Sequence, residues 1–314
     1  MQHLAFTLSV VAPVFLIVGL GYVLKSLGVI NRNFVTVSTQ IVFLVSLPIL
    51  IFLELSVVDF RQAFDIRAIG FIYAGTLVFF GVIWLLAGKF IPDGRDRGAF
   101  IQGSFRGNFA IIGLALISNM FGSEGLSRAS LMLAFIIPLY NVLAVIALAV
   151  PNRDEKELEL AGTLLEILKN PLIIAVIISV GYSLTGWGLH PLINNTAEYL
   201  ARIALPLALL GIGGSLNFQQ MREASVMAIL SAGIKLIVIP AGLTYGAFLL
   251  GFRGLLLGVL FILFACPTAI SSFVMAEAMD SNGDLAGNIV LWTTLTSVVT
   301  ITIGLIILQA SHLI

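Results

Sequence analysis

An arginine, a glycine and an asparagine stand in a row deep inside an apolar stretch, in the segment SFRGNFAIIG at 104–113. An arginine at bilayer depth is costly, so Arg106 is expected to face a partner, a cavity or a guest molecule. Gly107 weakens a helix and permits backbone angles that other residues avoid. Asn108 brings two donors and an acceptor. The chemistry these three could do is to recognise a small anion where the helix opens. The plain alternative is a packing glycine, with Arg106 snorkelling to one interface.

A second constellation lies near the other end of the chain, in ACPTAISSFVMAE at 265–277. Pro267 lacks an N–H and clashes with the preceding turn, which frees backbone groups. In lipid, freed groups persist only when buried in protein or lining a wet cavity. Thr268, Ser271 and Ser272 follow at spacings that let them share a helix face. The alternative is an ordinary proline kink whose hydroxyls bond their own backbone. The N-terminus of a half-helix carries about half a positive charge and unpaired N–H groups. Two such ends meeting at mid-membrane would attract a carboxylate.

Other polar residues inside apolar stretches are Asn141, suited to packing between helices or to lining a cavity, and Lys235, either a buried cation or a snorkelling one. Pro48 and Pro206 are candidate kinks or hinges. Gly103/Gly107 and Gly242/Gly246 have the four-residue spacing of close helix contacts. Glu54 and Glu277 fall toward segment ends, where water can reach them.

These residues need elements to hold them, and composition says which. Hydrophobic residues make up 59% of the chain and charged ones 10%, where a soluble domain carries about 25% charged. The bilayer is therefore the solvent. Zero net charge gives no reason to expect a nucleic-acid partner. One cysteine, Cys266, excludes an internal disulfide, and His3, His190 and His312 have no zinc spacing, so neither metal nor cofactor is expected. No phosphate loop, H-E-x-x-H motif, nucleophile elbow or potassium-filter sequence occurs, so an enzyme is not expected.

The fold class is all-α and membrane-embedded. Ten stretches are long and apolar enough to span, at 4–25, 35–56, 67–90, 98–119, 127–150, 165–186, 197–216, 224–249, 254–278 and 285–309. The first lacks the basic start of a secretory signal and is read as a retained helix. Alternate loops hold nine Lys and Arg on one side and five on the other. That bias predicts a multi-pass protein of the cell inner (plasma) membrane, with both termini outside and the polar stretch 152–160 in the cytoplasm.

The halves look repeated. Gly21-Tyr22 recurs as Gly181-Tyr182, Leu47-Pro48 as Leu205-Pro206, Ala74-Gly75 as Ala232-Gly233 and Arg97-Gly98 as Arg253-Gly254, all at offsets of 156–160 residues. Chance similarity between apolar segments is the alternative. A repeat divides the chain into 1–150, a linker at 151–164, and 165–314. Five helices per unit make the second copy inverted, as in alternating-access carriers.

Four features together resemble the auxin efflux carrier family: SFRGN, the pair Tyr140-Asn141, Leu47-Pro48, and PTAISSFVMAEAM at 267–279. That family holds the plant PIN carriers and bacterial permeases proposed to move malate, malonate and similar organic anions. The resemblance runs over essentially the whole chain. It implies ten helices in two inverted five-helix repeats, with helices 4 and 9 unwinding and crossing near the midplane between a scaffold and a transport domain. It puts Asn108 on the helix-4 crossover asparagine and Pro267 on the helix-9 crossover proline. The plant pattern has an asparagine before that second proline; here it is Cys266. The long cytoplasmic loop of plant members is absent. Some relatives form dimers, which makes a homodimer an expectation.

The expected function is secondary or facilitative transport of a small organic anion across the cytoplasmic membrane by alternating access. Arg106, Gly107, Asn108, Asn141, Pro267, Thr268, Ser271 and Ser272 are the candidate substrate-binding residues. The alternatives are a cation-coupled carrier of a neutral or steroid-like solute, or a membrane sensor without flux.

Overall fold

The computed structural model describes residues 2–56, 65–151, 171–216 and 226–314. Among these, every regular element is a helix, and the one isolated bridge joins Gly107 to Thr268 in antiparallel sense. The polar stretch 152–160 and the beginnings of the spans expected at 165 and 224 lie outside the described residues.

Helix α1 covers Gln2–Ser26, and α2 runs over 32–56 through a π-helical turn at Val42–Ser46. Helix α3 is Ile66–Phe90 and α4 is Gly94–Phe105. Helix α5, Phe109–Ala149, opens with a π turn at Phe109–Gly113 and bends at Gly122, where φ is +60°. Then come α6 at Pro171–Thr185, α7 at Pro191–Arg202, α8 at Ala204–Ser215 and α9 at Val226–Leu249, the last with a π turn at Ile234–Val238. Helices α10 at Gly254–Ala265, α11 at Ser271–Ala278 and α12 at Gly283–Ala310 complete the chain.

Local sequence explains the helix starts. Asn31, Asp65, Asp93 and Asn282 each accept a hydrogen bond from backbone N–H groups of the first turn that follows. Those groups have no partner inside the helix. At the other end of a helix pair, the Lys25 ammonium donates to the carbonyl of Leu216, 2.9 Å away, just past α8.

Six helices among the described residues are long and apolar enough to cross a membrane: 32–53, 66–90, 109–149, 191–215, 226–249 and 283–310. Two of the ten expected stretches are interrupted by unwound backbone. The span expected at 98–119 is split at residues 106–108, and the one at 254–278 is split at 266–270. The piece Gly254–Ala265 is then shorter than the roughly 20 residues a spanning helix needs. Gly122, with φ +60° and ψ −151°, is non-helical, so the run 109–149 is two helices meeting at a kink, which lies between the spans expected at 98–119 and 127–150. Helix α7–α8 also begins earlier than the expected 197, at Pro191, where proline suits a first helical turn.

Packing crosses between the halves. Helix α1 lies against α8, and α2 lies against α6 and α7. The α1–α8 contact is backbone on backbone: a Cβ on Gly213 would stand 1.9 Å from the Val18 carbonyl oxygen, and one on Gly21 would stand 2.3 Å from that of Leu210. Only glycine fits at either place. Gly181, matched to Gly21 in the expected repeat, has no described atom within 4 Å of an added Cβ, so the two glycines do not share a packing role. The outer face of α3 is apolar and exposed at Leu77, Val78, Val82, Leu85 and Leu86, as a lipid-facing helix requires.

Candidate functional site

The chain leaves its helix at Phe105 and resumes one at Phe109; it leaves again at Ala265 and resumes at Ser271. The two unwound stretches run antiparallel against each other. The Asn108 N–H donates to the Pro267 carbonyl at 2.7 Å, and the Ala269 N–H donates to the Arg106 carbonyl at 3.3 Å. This answers the accounting problem of open backbone at membrane depth: each stretch supplies part of the hydrogen bonding that the other lost.

Side chains complete the junction. The Thr268 hydroxyl donates to the Gly103 carbonyl at 2.7 Å, capping α4, while its N–H donates to the Thr293 hydroxyl of α12 at 3.1 Å. Thr268 is fully buried and does not reach the cavity. Replacing it by valine keeps the shape and removes the donor. An orphaned buried carbonyl costs about 1–3 kcal/mol. Thr268→Val is therefore expected to melt several degrees below the parent in the same detergent, by thermal denaturation of the purified protein.

Beside the crossing lies a cavity of about 450 Å³, walled by α2, α5 and α8 and by both unwound stretches. Arg106, Gly107, Asn108 and Ser271 line it, joined by Asn141 from the C-terminal part of α5. Pro267, Thr268 and Ser272 do not. Pro267 contributes its carbonyl to the junction, and the Ser272 hydroxyl is buried with no hydrogen-bond partner among the described residues. The structure thus brings five of the eight candidate residues to one cavity and sets three behind it.

Arg106 sits at the C-terminal end of α4 in an extended conformation and is 8% exposed. Its guanidinium donates to the Asn141 side-chain oxygen at 2.8 Å and to the Met275 sulfur. Both partners are neutral, and no carboxylate among the described side chains pairs with it. Arg106 does not snorkel. The Asn108 side-chain amide makes no hydrogen bond among the described residues and lines the same cavity.

Sequence inspection missed much of the wall. Phe43, Phe109, Ile136, Ile270 and Met275 give the cavity a mostly apolar surface, and Tyr140 sets its ring edge-on to Phe105 at 5.6 Å. Their apolar types carry no signal that separates a cavity wall from a lipid-facing flank. The π turns at Val42–Ser46 and Phe109–Gly113 both contribute lining residues. Such turns concentrate at functional sites, but no residue pattern announces them.

Among the described residues the chain is all-helical, with apolar spans and an arginine-bearing cavity where two helices open, an arrangement suited to a membrane transporter. A family model described as "Membrane transport protein" matches residues 6–305, and the chain belongs to that family, the auxin efflux carrier family. It is similar to an uncharacterized transporter of Methanothermobacter thermautotrophicus, at 27% identity over 304 residues, covering 95% of this chain and 97% of the relative. It is also similar to an uncharacterized transporter of Methanocaldococcus jannaschii, at 26% identity over 307 residues, covering 94% and 96%.

Proposed function

We propose that this transporter carries a small organic anion, holding a carboxylate at Arg106. The observation that carries the proposal is the guanidinium itself: buried, at a cavity wall, and bonded to neutral groups. A buried charge without a counter-charge is costly. An anionic guest would supply the missing charge and could accept a forked pair of hydrogen bonds. The Asn108 and Asn141 amides and the Ser271 hydroxyl would orient it, and the apolar wall would take its carbon skeleton. A cavity of about 450 Å³ falls in the usual size range of small-molecule sites.

We further propose ten helices in two inverted five-helix repeats, 1–150 and 165–314. The support is a set of matched features. Helices α4 and α10 are each 12 residues long and begin 160 residues apart. Each of α4 and α10 ends at an unwound stretch. Gly107, Pro267 and the junction they share would form the crossover. Both termini would lie outside the plasma membrane, following the basic-loop bias.

Alternating access is the mechanism this arrangement favours. A second cavity, of about 690 Å³, is lined by Ser118, Asn119, Asn194, Glu198 and Arg202 among others. The helices α2, α5 and α8 line both cavities at successive positions along their lengths: Val42, Ile111 and Gly211 for one, Leu50, Ala115 and Leu209 for the other. The cavities therefore follow each other along one seam. Movement of the crossover past that seam, as an elevator or by rocking, would expose Arg106 to each side in turn.

The test is a thermal-shift screen of the purified protein over malonate, malate, indole-3-acetate and neutral amino acids, followed by uptake into proteoliposomes. A carboxylate is expected to raise the melting temperature by mass action and to accumulate inside. Stabilisation by neutral solutes alone, or binding without flux, overturns the proposal and favours a neutral-solute carrier or a sensor, respectively.

A further inference from the structure

Lys235 has no part in the cavity, yet it is fully buried in the middle of α9. Its ammonium donates to the carbonyl oxygen of Phe264 at 2.7 Å. Phe264 belongs to the last turn of α10, where carbonyls have run out of helical partners and the helix dipole is negative. The Leu263 carbonyl lies close by: a Cβ on Gly107 would stand 3.3 Å from Lys235 Nζ and 3.4 Å from the Leu263 oxygen. The ammonium thus reaches the carbonyl end of α10 and the unwound stretch after α4 together. No carboxylate among the described side chains pairs with it.

Two further observations show that α9 is built to deliver this charge. Four residues earlier, on the same helix face, the Ser231 hydroxyl meets the Ser104 hydroxyl of α4 at 2.8 Å. One face of α9 therefore fastens the C-terminal ends of both half-helices, by Ser231 to α4 and by Lys235 to α10. The backbone of α9 also widens into a π turn at Ile234–Val238, with Lys235 inside it. A π turn interrupts regular helix bonding and re-aims its side chains, and it recurs at functional sites.

We propose that Lys235 is the resident cation of the crossover, a tethered charge that fills the place a free monovalent cation would otherwise occupy. It is a positioning residue. It neutralises the carbonyl end of α10 and holds the two unwound stretches in register, and no sodium ion is needed there. The inference concerns the integrity of the crossover and does not depend on which solute is carried.

The experiment measures melting temperature in detergent, with no transported solute present. The parent protein is expected to melt at the same temperature in sodium chloride and in choline chloride of equal concentration. Lys235→Met keeps most of the volume without the charge and is expected to melt several degrees lower, in either salt. Lys235→Ala is expected to lose at least as much and to leave a cation-sized gap. Ethylammonium or sodium should then restore about half of the loss or more, saturably, by mass action, while choline should not. A packing role alone would give no cation-selective rescue. The proposal is overturned if sodium stabilises the parent over choline, if Lys235→Met melts with the parent, or if Lys235→Ala ignores both small cations. Should Lys235→Ala fail to fold, the parent and Lys235→Met measurements decide. Because these are ion responses of melting temperature, their failure is distinct from a failure to find a transported anion.

Discussion

Arg106→Ala is expected to remove carboxylate-dependent stabilisation and uptake while leaving the protein folded. Truncating one partner of a buried, hydrogen-bonded charge pair costs about 2–5 kcal/mol. At about 1.4 kcal/mol per decade, affinity should fall roughly 30-fold to several thousand-fold. Stability should change much less than affinity. The groups that lose the guanidinium, the Asn141 oxygen and the Met275 sulfur, line the cavity, where water can take its place, whereas the carbonyl that Lys235 holds is sealed away from it. Arg106→Lys should fall between, since lysine keeps the charge and loses the planar fork. The check is titration of the stabilising carboxylate by thermal shift, with uptake in proteoliposomes. Uptake by Arg106→Ala at the parent rate would refute the assignment.

Asn108→Asp is expected to be nearly as damaging, for the opposite reason. The substitution is isosteric, so the α5 start and the bond from the residue 108 N–H to the Pro267 carbonyl should persist. The new carboxylate would line the same cavity as Arg106 and compete with the guest for its charge. Two unit charges 4 Å apart interact by about 4 kcal/mol at an effective dielectric of 20. A loss of anion affinity on the order of 100-fold corresponds to about 2.7 kcal/mol, within that scale. Asn108→Ala removes the amide without adding charge and should lose less. If Asn108→Asp binds the carboxylate as tightly as Asn108→Ala does, charge at this position is not felt by the guest and Asn108 is not beside its carboxylate.

Much of this molecule was legible in the residues. The unwound stretches fall where Arg106-Gly107-Asn108 and Pro267 pointed, because a missing Cβ and a missing N–H weaken a helix wherever they occur. The burial of Arg106 followed from its depth in an apolar run. The hydroxyls were less transparent. Thr268, Ser271 and Ser272 share a face only while the chain is helical. The backbone is unwound from 266 to 270, and Thr268 turns to Gly103 while Ser271 turns to the cavity. Lys235 was equally open to snorkelling and to burial, because a lysine stem can reach either way and local sequence does not say what α9 packs against.

The sequence by itself determined the solvent, the helices and their weak points, since hydropathy and backbone propensity are local properties summed over a window of residues. It carried a family resemblance that the match over residues 6–305 establishes. Tertiary structure alone decided that the two weak points meet and bond each other through Gly107 and Thr268. It also decided which polar groups look into the cavity and which are used up in the junction. Those outcomes depend on pairing between segments some 160 residues apart, where each N–H or carbonyl left open by one stretch finds its partner in the other.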